Sequence, residues 1–296
     1  MKLFLKSIFK FILAFSLIII IQLLFFKYLL FYNVDFHLSK DKTTLILGDS
    51  QTETALNDSI IKNSVNLSKA GDPLYFNYIK LKKILKNNSQ IKTLVLGFSP
   101  SNLISKGFYE VPKMKSKYKT YFYLIDFKDY GDLIDYNFEG FIRGATGLES
   151  YLLKSWKIIT TKDITKIGIG GFRPISYNIS KLDDDILLNN SILPKNEPDQ
   201  IAVRYFYRII EICQNNDIEL IVINTPLHSS LSDKQINHKR VYDQFMSKIN
   251  RNVLKWDYEY YNLDDFYFYD DNHLNLKGAE IFSHYINNKL RIETNN

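Results

Sequence analysis

Thr43-Thr44-Leu45-Ile46-Leu47-Gly48-Asp49-Ser50 (TTLILGDS) is the segment from which the architecture of this chain follows. Its β-branched, apolar part is typical of a short buried strand, and Gly48 permits a tight turn directly after it. Ser50 then lies where the chain enters the next segment. In parallel α/β sheets, ligands bind beyond the carboxyl ends of the strands. The segment therefore places a serine at the edge where chemistry is expected.

The combination of a buried strand and a following turn recurs along the chain. Lys92–Leu96 (KTLVL) is stopped at Gly97, and Ile218–Asn224 (IELIVIN) is broken by Pro226. Segments with helical periodicity lie between and after these strands: 74–86, 201–215, 232–249 and 278–290. Strands that alternate with helices of this length imply parallel β-α-β units with right-handed crossovers. The sequence thus predicts an α/β fold with a central parallel sheet.

Residues 104–200 interrupt this alternation. They are rich in Tyr, Phe and Lys, and they contain the acidic run Asp183–Asp185. We interpret them as an insertion, mainly solvated loop with a short helix around Leu148–Ile159; a lid that shapes a substrate or partner site is the alternative. The acidic run also has the composition of a glycosyltransferase metal motif, but an isolated run in a Lys-rich segment is typical of a solvated loop.

The N-terminal segment is apolar enough to span a membrane. Residues 11–26 carry no charge, and the span up to Tyr32 has 22 residues. At about 1.5 Å per residue it is roughly 33 Å long, enough for a hydrocarbon core about 30 Å thick. A cleaved signal peptide is the alternative, but no small-x-small cleavage site follows the span.

The lysines before this span predict its orientation. Lys2, Lys6 and Lys10 place the N-terminus in the cytoplasm, according to the positive-inside rule. We therefore expect a single-pass protein of the cell (inner) membrane, with the rest of the chain outside the cytoplasm. The predicted organisation is a transmembrane anchor at 1–32, a linker at 33–42, and one domain at 43–296 that carries the insertion.

Composition excludes several classes of function. The formal charge is +6, but four of the charges are lysines within the first 32 residues, so the remainder carries only +2 and nucleic-acid binding is not expected. The single cysteine, Cys213, excludes an internal disulfide framework and a multi-cysteine metal site. No GxGxxG, P-loop or HExxH motif is present. We therefore expect neither a metal nor a cofactor.

A second group of reactive residues lies directly before the last predicted helix. In Tyr269–Asn275 (YDDNHLN), Asp270 precedes His273 by three residues. On one loop, this spacing lets the carboxylate hold one ring nitrogen while the other faces a nucleophile, which is what an activated serine needs. The other histidines lack a carboxylate three residues before them: His37, His228, His238 and His284. For Ser50, the alternative to a nucleophile is a helix N-cap.

These segments resemble the SGNH (GDSL-like) hydrolase family over residues 43–103 and 201–290. The matching blocks, in order, are Gly48-Asp49-Ser50, then Asn66 with Gly71, then Asp270 with His273. The resemblance implies a three-layer α/β/α sandwich of the SGNH, flavodoxin-like type. It also implies Ser50 as nucleophile, His273 as general base and Asp270 as its orienter, with the amides of Ser50 and Gly71 as oxyanion donors.

The third block of the family, Gly-x-Asn-Asp, is altered here. The corresponding stretch is Gly97-Phe98-Ser99-Pro100-Ser101-Asn102, so that Ser99 occupies the position of the asparagine, whose side chain completes the oxyanion hole. The Ser99 hydroxyl and the more distant Asn102 are the candidates for the missing donor. Loss of one such donor typically costs about 2.7–4 kcal/mol of transition-state stabilisation.

The layout also resembles the membrane-anchored SGNH-like proteins of teichoic-acid D-alanylation and alginate O-acetylation. This resemblance implies acyl transfer to a cell-envelope polysaccharide, together with a membrane-bound O-acyltransferase as partner. Two function classes follow. The intact Ser50, Asp270 and His273 favour an O-acyltransferase or esterase. The altered third block favours a non-catalytic SGNH-fold partner that binds glycan or scaffolds a membrane acyltransferase.

Overall fold

The structure, a computed structural model, describes residues 2–33, 36–104, 117, 120–121, 124–145, 168–176, 197–232 and 236–293. The chain divides into two compact units, Met1–Phe36 with Tyr109–Gly168 and His37–Phe108 with Ile169–Asn296. The helix expected around Leu148–Ile159 and the acidic run Asp183–Asp185 lie outside the described residues.

Strands and helices alternate along the second unit. The strands are β1 (Thr44–Leu47), β2 (Ser64–Asn66), β3 (Thr93–Gly97), β4 (Glu219–Asn224), β5 (Leu254–Asp257), β6 (Phe268–Asp270) and β7 (His273–Leu274). The α-helices whose bounds lie within the described residues are α1 (Lys2–Asn33), α2 (Ser50–Ala55), α3 (Leu74–Leu85), α4 (Pro100–Ile104), α5 (Tyr130–Ala145), α6 (Gln200–Asn215), α7 (Ser229–Ser232), α8 (Ile236–Ser247) and α9 (Leu276–Glu293).

A five-stranded parallel sheet forms the centre of the second unit, in the order β2-β1-β3-β4-β5. The predicted α/β class is confirmed. The strands β1, β3 and β4 correspond to the three apolar runs in the sequence, whereas β2 and β5 were not predicted. Leu47 pairs with Leu96, and Gly97 with Ile223, so the carboxyl ends of these strands share one edge.

Apolar side chains project from the strands of the sheet, and helices that pack on them bury the sheet. All four residues of β1 are buried. On one face, Ile46, Val95 and Ile221 pack in a cluster with Phe282 and Ile286 of α9. Helix α2 packs against α9, while α3 packs against α6 and α4 packs against both α6 and α8. Near-continuous apolar strands of this kind are typical of parallel sheets covered by helices.

The first unit contains the N-terminal helix α1. Lys2–Gln22 within it is long and apolar enough to cross a membrane, with a mean hydropathy of 2.3. The unit also contains α5, a 16-residue helix in the region that we expected to be mainly loop. Ile134, Phe138 and Ile142 recur at the four-residue spacing of one helical face. The sequence did not reveal this helix because it contains three glycines, Gly131, Gly140 and Gly144, which are poor helix formers.

Two glycines let α2 approach the edge of the sheet. A Cβ atom built on Gly97 would lie 1.7 Å from the Thr52 hydroxyl oxygen and 2.8 Å from its Cβ, and one on Gly48 would lie 2.5 Å from the same oxygen. Thr52 is itself buried. The helix that begins at Ser50 therefore packs closely on the strand ends through Thr52. This close packing requires glycine at the ends of β1 and β3.

Gly97→Ala should therefore destabilise the protein by about 1–3 kcal/mol, because the methyl group overlaps Thr52 and displaces α2. Thermal unfolding of the purified full-length protein measures the loss. Gly131→Ala is the matched control, since its new methyl group meets nothing within 4 Å and lies in α5. We expect that variant to be unchanged or slightly more stable. Equal melting temperatures for Gly97→Ala and the wild type would contradict the close approach.

Candidate active site

Ser50 is the first residue of α2, directly beyond the carboxyl end of β1. Asp49 is the N-cap of this helix, and its Oδ1 accepts a hydrogen bond from the backbone N–H of Gln51 at 3.0 Å. A carboxylate at this position satisfies an N–H that has no partner within the helix. Asp49 thus takes the capping role that was the alternative for Ser50, and the Ser50 hydroxyl is left for another contact.

Asp270 and His273 lie on the hairpin formed by β6 and β7. The two residues pair across the antiparallel ladder, and the backbone N–H of Asn272 donates to Asp270 Oδ1 at 2.8 Å. His273 Nδ1 lies 2.7 Å from Asp270 Oδ1 and 2.9 Å from Oδ2. The three-residue spacing in the sequence is therefore the spacing of a tight turn that sets the carboxylate against the imidazole.

The structure brings Ser50 and His273 together from opposite ends of the chain. Ser50 Oγ lies 2.8 Å from His273 Nε2, across a separation of 223 residues. Helix α2 packs against β7, which fixes the two side chains relative to each other. Ser50, His273 and Asp270 thus form one continuous chain of hydrogen bonds at the carboxyl edge of the sheet.

The ionisation of Asp270 determines where the protons lie. Burial opposes its charge, but the hydrogen bond from His273, the charge that this ring carries when it is protonated, and the backbone N–H groups of Asn272 and His273 outweigh burial and lower the pKa of Asp270. An ionised carboxylate only accepts hydrogen bonds, so Nδ1 of His273 carries a hydrogen. In the neutral imidazole Nε2 is then an acceptor, and Ser50 donates to it. This is the arrangement in which a serine hydroxyl becomes a nucleophile.

Ser99 and Asn102 belong to a buried network that reaches the residue next to Ser50. Asn102 Nδ2 donates to Asp49 Oδ2 at 2.8 Å, and Asn102 Oδ1 accepts from the Ser99 backbone N–H at 2.8 Å and from the Ser99 hydroxyl at 3.0 Å. The Ser99 hydroxyl also lies 2.7 Å from that of Ser101. The network joins the ends of β1 and β3, with the Asn102 amide directed to Asp49.

Burial raises the pKa of Asp49, against the hydrogen bonds that it accepts from Asn102 and Gln51. The side chain is almost inaccessible, with a relative exposure of 6%. Its conformation is therefore set by these partners and not by water. The sequence analysis named Asp49 as part of the GDS motif without assigning it a role; its position next to the candidate nucleophile was the available signal.

The loop after β2 lies beside the Ser50 turn and carries Gly71. The backbone N–H of Leu67 donates to Ile46 O, and that of Lys69 donates to Gly48 O, so the loop continues the pairing with β1 past the end of the strand. Asn66 Nδ2 donates to Leu56 O at 2.7 Å, and Asn66 Oδ1 accepts from the Ser68 N–H at 2.8 Å. Gly71 itself turns the chain with a φ of 69°.

Two backbone N–H groups near Ser50 are available to a ligand. Those of Ser50 and Gly71 donate to no residue in the part of the chain that the structure describes. The N–H of Ser50 is one of the groups that an α-helix leaves without an internal partner at its N-terminus. The Ser68 hydroxyl is buried and, among the described residues, also has no hydrogen-bond partner.

Glu53 was missed by sequence reasoning, although it lies one helical turn after Ser50. Its Oε2 accepts from the backbone N–H of Ala70 at 3.1 Å and from Arg173 Nε at 3.0 Å. The carboxylate therefore ties the Gly71 loop to α2. An acidic residue three positions after the candidate nucleophile is visible in the sequence, but its partners lie 17 and 120 residues away, so the sequence does not indicate what it contacts.

His228, one of the histidines that lack a carboxylate three residues before them in the sequence, contacts both a serine and an aspartate. Its Nδ1 lies 2.8 Å from Ser230 Oγ and also accepts from the Ser230 backbone N–H, while Nε2 lies 3.0 Å from Asp265 Oδ1. Because the two Ser230 groups share one ring nitrogen, we interpret this contact as a cap of the short helix α7. Across the described ranges, no group of three or more His, Cys, Asp or Glu side chains is placed to hold a metal ion.

No family model matches the chain, and no curated protein matches it. The geometry of the site is therefore the basis for assigning a function.

Proposed function

We propose that this chain is a membrane-anchored serine O-acyltransferase or esterase of the SGNH type that acts outside the cytoplasm on a cell-envelope glycan. The observation that carries the proposal is the chain of hydrogen bonds from Ser50 through His273 to Asp270, at 2.8 and 2.7 Å. It joins the first and last blocks of the resemblance at the edge of the sheet where α/β proteins bind ligands.

The proposed reaction has two steps. Ser50 Oγ attacks the carbonyl carbon of the donor ester while His273 Nε2 takes the hydroxyl proton. The ester C–O bond breaks, and the departing oxygen takes that proton from His273, which leaves an acyl-serine. In the second step a glycan hydroxyl gives its proton to His273 and attacks the acyl carbonyl carbon; the bond to Ser50 Oγ breaks, and Ser50 Oγ takes that proton back from His273. Water in place of the glycan makes the reaction an ester hydrolysis.

The N–H groups of Ser50 and Gly71 are the proposed donors to the oxyanion of both steps. One belongs to Ser50 itself, the other lies on the loop that pairs with Gly48, and neither makes a hydrogen bond to the described residues. Preorganised N–H donors stabilise the charge that develops on the carbonyl oxygen. We retain the Ser99 hydroxyl and Asn102 as candidates for the third donor; in the present arrangement the Asn102 amide supports Asp49.

The finer assignment of the fold, a three-layer α/β/α sandwich, belongs to the same proposal. The strand order 2-1-3-4-5 is a doubly wound order, and the helices pack in two separate groups. We further propose that α1 anchors the chain in the cell membrane with its N-terminus in the cytoplasm. A membrane-bound O-acyltransferase is the proposed partner that delivers the acyl group.

A non-catalytic SGNH-fold partner is the second candidate function. One observation favours it: Ser99 and Pro100 stand where the family has the Asn-Asp of its third block. In this alternative the domain binds glycan or holds a membrane acyltransferase, and Ser50 forms no covalent intermediate.

A membrane-impermeant fluorophosphonate tests the proposal on cells whose outer layers have been removed. Its phosphorus is attacked by an activated serine oxygen with loss of fluoride, so we expect labelling of the chain from outside the membrane. Ser50→Ala should abolish the labelling, whereas Ser230→Ala, which removes the serine beside His228, should retain it. Labelling only after lysis would contradict the orientation. Absence of labelling in lysed membranes would contradict the enzyme.

A further inference from the structure

The segment 169–176, which we call the strap, runs along the candidate active site. The Gly171 N–H donates to Ser68 O at 3.0 Å, and the Arg173 N–H donates to Glu53 O at 2.9 Å. At the far end, the Leu276 N–H donates to Ile175 O at 2.8 Å. Ser68 lies three residues before Gly71, Glu53 three after Ser50, and Leu276 three after His273. The strap thus contacts each of the three segments that build the site.

The beginning of the strap is fitted tightly to the loop that carries Gly71. A Cβ atom on Gly170 would lie 2.1 Å from Leu67 O, and the φ of Gly170 is +153°. The buried Lys80 ammonium donates to Leu67 O at 2.5 Å, contacts Ile169 O at 3.4 Å and pairs with Asp72 at 2.9 Å. The backbone that leads to Arg173 is therefore held in a defined position beside the site.

Arg173 presents an unused edge of its guanidinium next to the nucleophile helix. Its Nε donates to Glu53 Oε2 at 3.0 Å, yet 49% of the side chain is exposed. Its terminal nitrogens make no hydrogen bond or ion pair with any residue in the described ranges. The contact with Glu53 fixes the direction of the planar group and leaves the edge formed by the two terminal nitrogens to a ligand.

The local charge also favours an anion at this position. Lys69 directly precedes Ala70, whose backbone N–H donates to Glu53 Oε2, and it makes no ion pair with the described residues, so Arg173 and Lys69 outnumber the single Glu53 carboxylate in this part of the chain. Ser50 and Glu53 lie one helical turn apart, where Cβ atoms are about 5–6 Å from each other. A group bound by Arg173 would therefore belong to the sugar that is acylated or to its neighbour along the polymer.

We propose that Arg173 is a subsite for an anionic group, a carboxylate or a phosphate, on the glycan that accepts the acyl group. The inference rests on the proposed function for the identity of this ligand. The planar guanidinium matches the two oxygens of a carboxylate or phosphate in a bidentate contact. Arg173 determines specificity and takes no part in the proton transfers at Ser50.

Binding to full-length protein in detergent, in the Ser50→Ala background, tests the proposal without any need for turnover. The probes are an oligogalacturonate, its methyl-esterified neutral form of the same length, and a glycerol-phosphate oligomer. We expect at least one anionic probe to bind about tenfold to a hundredfold more tightly than the neutral one. The preference should weaken as salt is added, because the site is partly exposed. The better anionic probe identifies the carboxylate or the phosphate as the ligand.

Arg173→Gln should abolish this preference while the neutral probe binds as before. Lys248→Gln is the matched control, since it removes an exposed cation near the opposite edge of the sheet and should change nothing. Arg173→Lys keeps the charge without the planar fork, so it should restore part of the preference and show that the position tolerates substitution. Three results would overturn the proposal. They are an equal loss of affinity for charged and neutral probes in Arg173→Gln, an unchanged preference in that variant, and no binding of any anionic probe to the protein.

The outcome is separable from that of the proposed enzyme. If Ser50 fails to react with a phosphonate but the anionic probe binds through Arg173, the subsite stands and the chain is a glycan-binding protein. If Ser50 reacts and the anionic preference is absent, the catalytic proposal stands and the subsite does not.

Discussion

Ser50→Ala should abolish acylation of the envelope glycan in cells while the protein remains folded and present in the membrane at its normal level. The substitution removes only the oxygen that lies 2.8 Å from His273 Nε2, and Asp49 continues to cap α2. Without that oxygen no acyl-serine forms, so neither of the two proposed steps can take place. Loss of a nucleophile that acts with a base costs on the order of 10³-fold or more.

The acyl content of the envelope polymer, measured at matched protein abundance, decides between the two candidate functions. A scaffold would retain acylation in the Ser50→Ala strain, and wild-type acylation there would contradict the enzyme. Ser230→Ala is the control, because it also removes a hydroxyl that contacts a histidine, 2.8 Å from His228 Nδ1. We expect full acylation in that strain.

Asp270→Asn should lower the rate by an amount on the order of 10⁴-fold, although it preserves the shape of the site. His273 Nδ1 lies within 2.9 Å of both carboxylate oxygens, so an amide in this position presents an N–H to the ring. Nδ1 must then accept, and the ring hydrogen moves to Nε2. In this tautomer Nε2 cannot take the proton of Ser50. Rates of ester hydrolysis or phosphonate labelling, measured with purified protein, give the size of the loss.

Asp265→Asn is the matched control for this substitution. Asp265 contacts the ring of His228 at 3.0 Å and lies outside the chain of hydrogen bonds from Ser50. We expect its activity to be unchanged. His273→Ala added to Ser50→Ala should cause no further loss, because residues that act as one unit are not additive. A wild-type rate in Asp270→Asn would show that His273 is not the base.

Asp270 should also leave a signature in the pH dependence of stability. Its pKa is lowered in the folded protein, so its contribution to stability is present above the ordinary pKa of an aspartate, about 4. That contribution is lost as the pH falls through the lowered value. Asp49 has the opposite sign, because burial raises its pKa and its contribution is lost as the pH rises through the raised value.

Sequence patterns were sufficient for the elements whose residues repeat over several positions. The strands β1, β3 and β4 and the helices α3, α6 and α9 all follow from apolar runs or helical periodicity. β2 has only three residues, and β5 (LKWD) is partly exposed with one buried position, Trp256, so neither provides a pattern long enough to recognise. Both become strands because an adjacent strand offers backbone partners.

By itself the sequence determined the α/β class, the apolar N-terminal helix and the two segments that carry Ser50, Asp270 and His273. These features are local: each depends on residue types within a few positions of one another. Only the tertiary structure decided that Asn102 supports Asp49 across 53 residues, and that Arg173 meets Glu53 across 120. Hydrogen bonds of this kind form between groups that the packing of the sheet and its helices brings together, and no spacing along the chain encodes them.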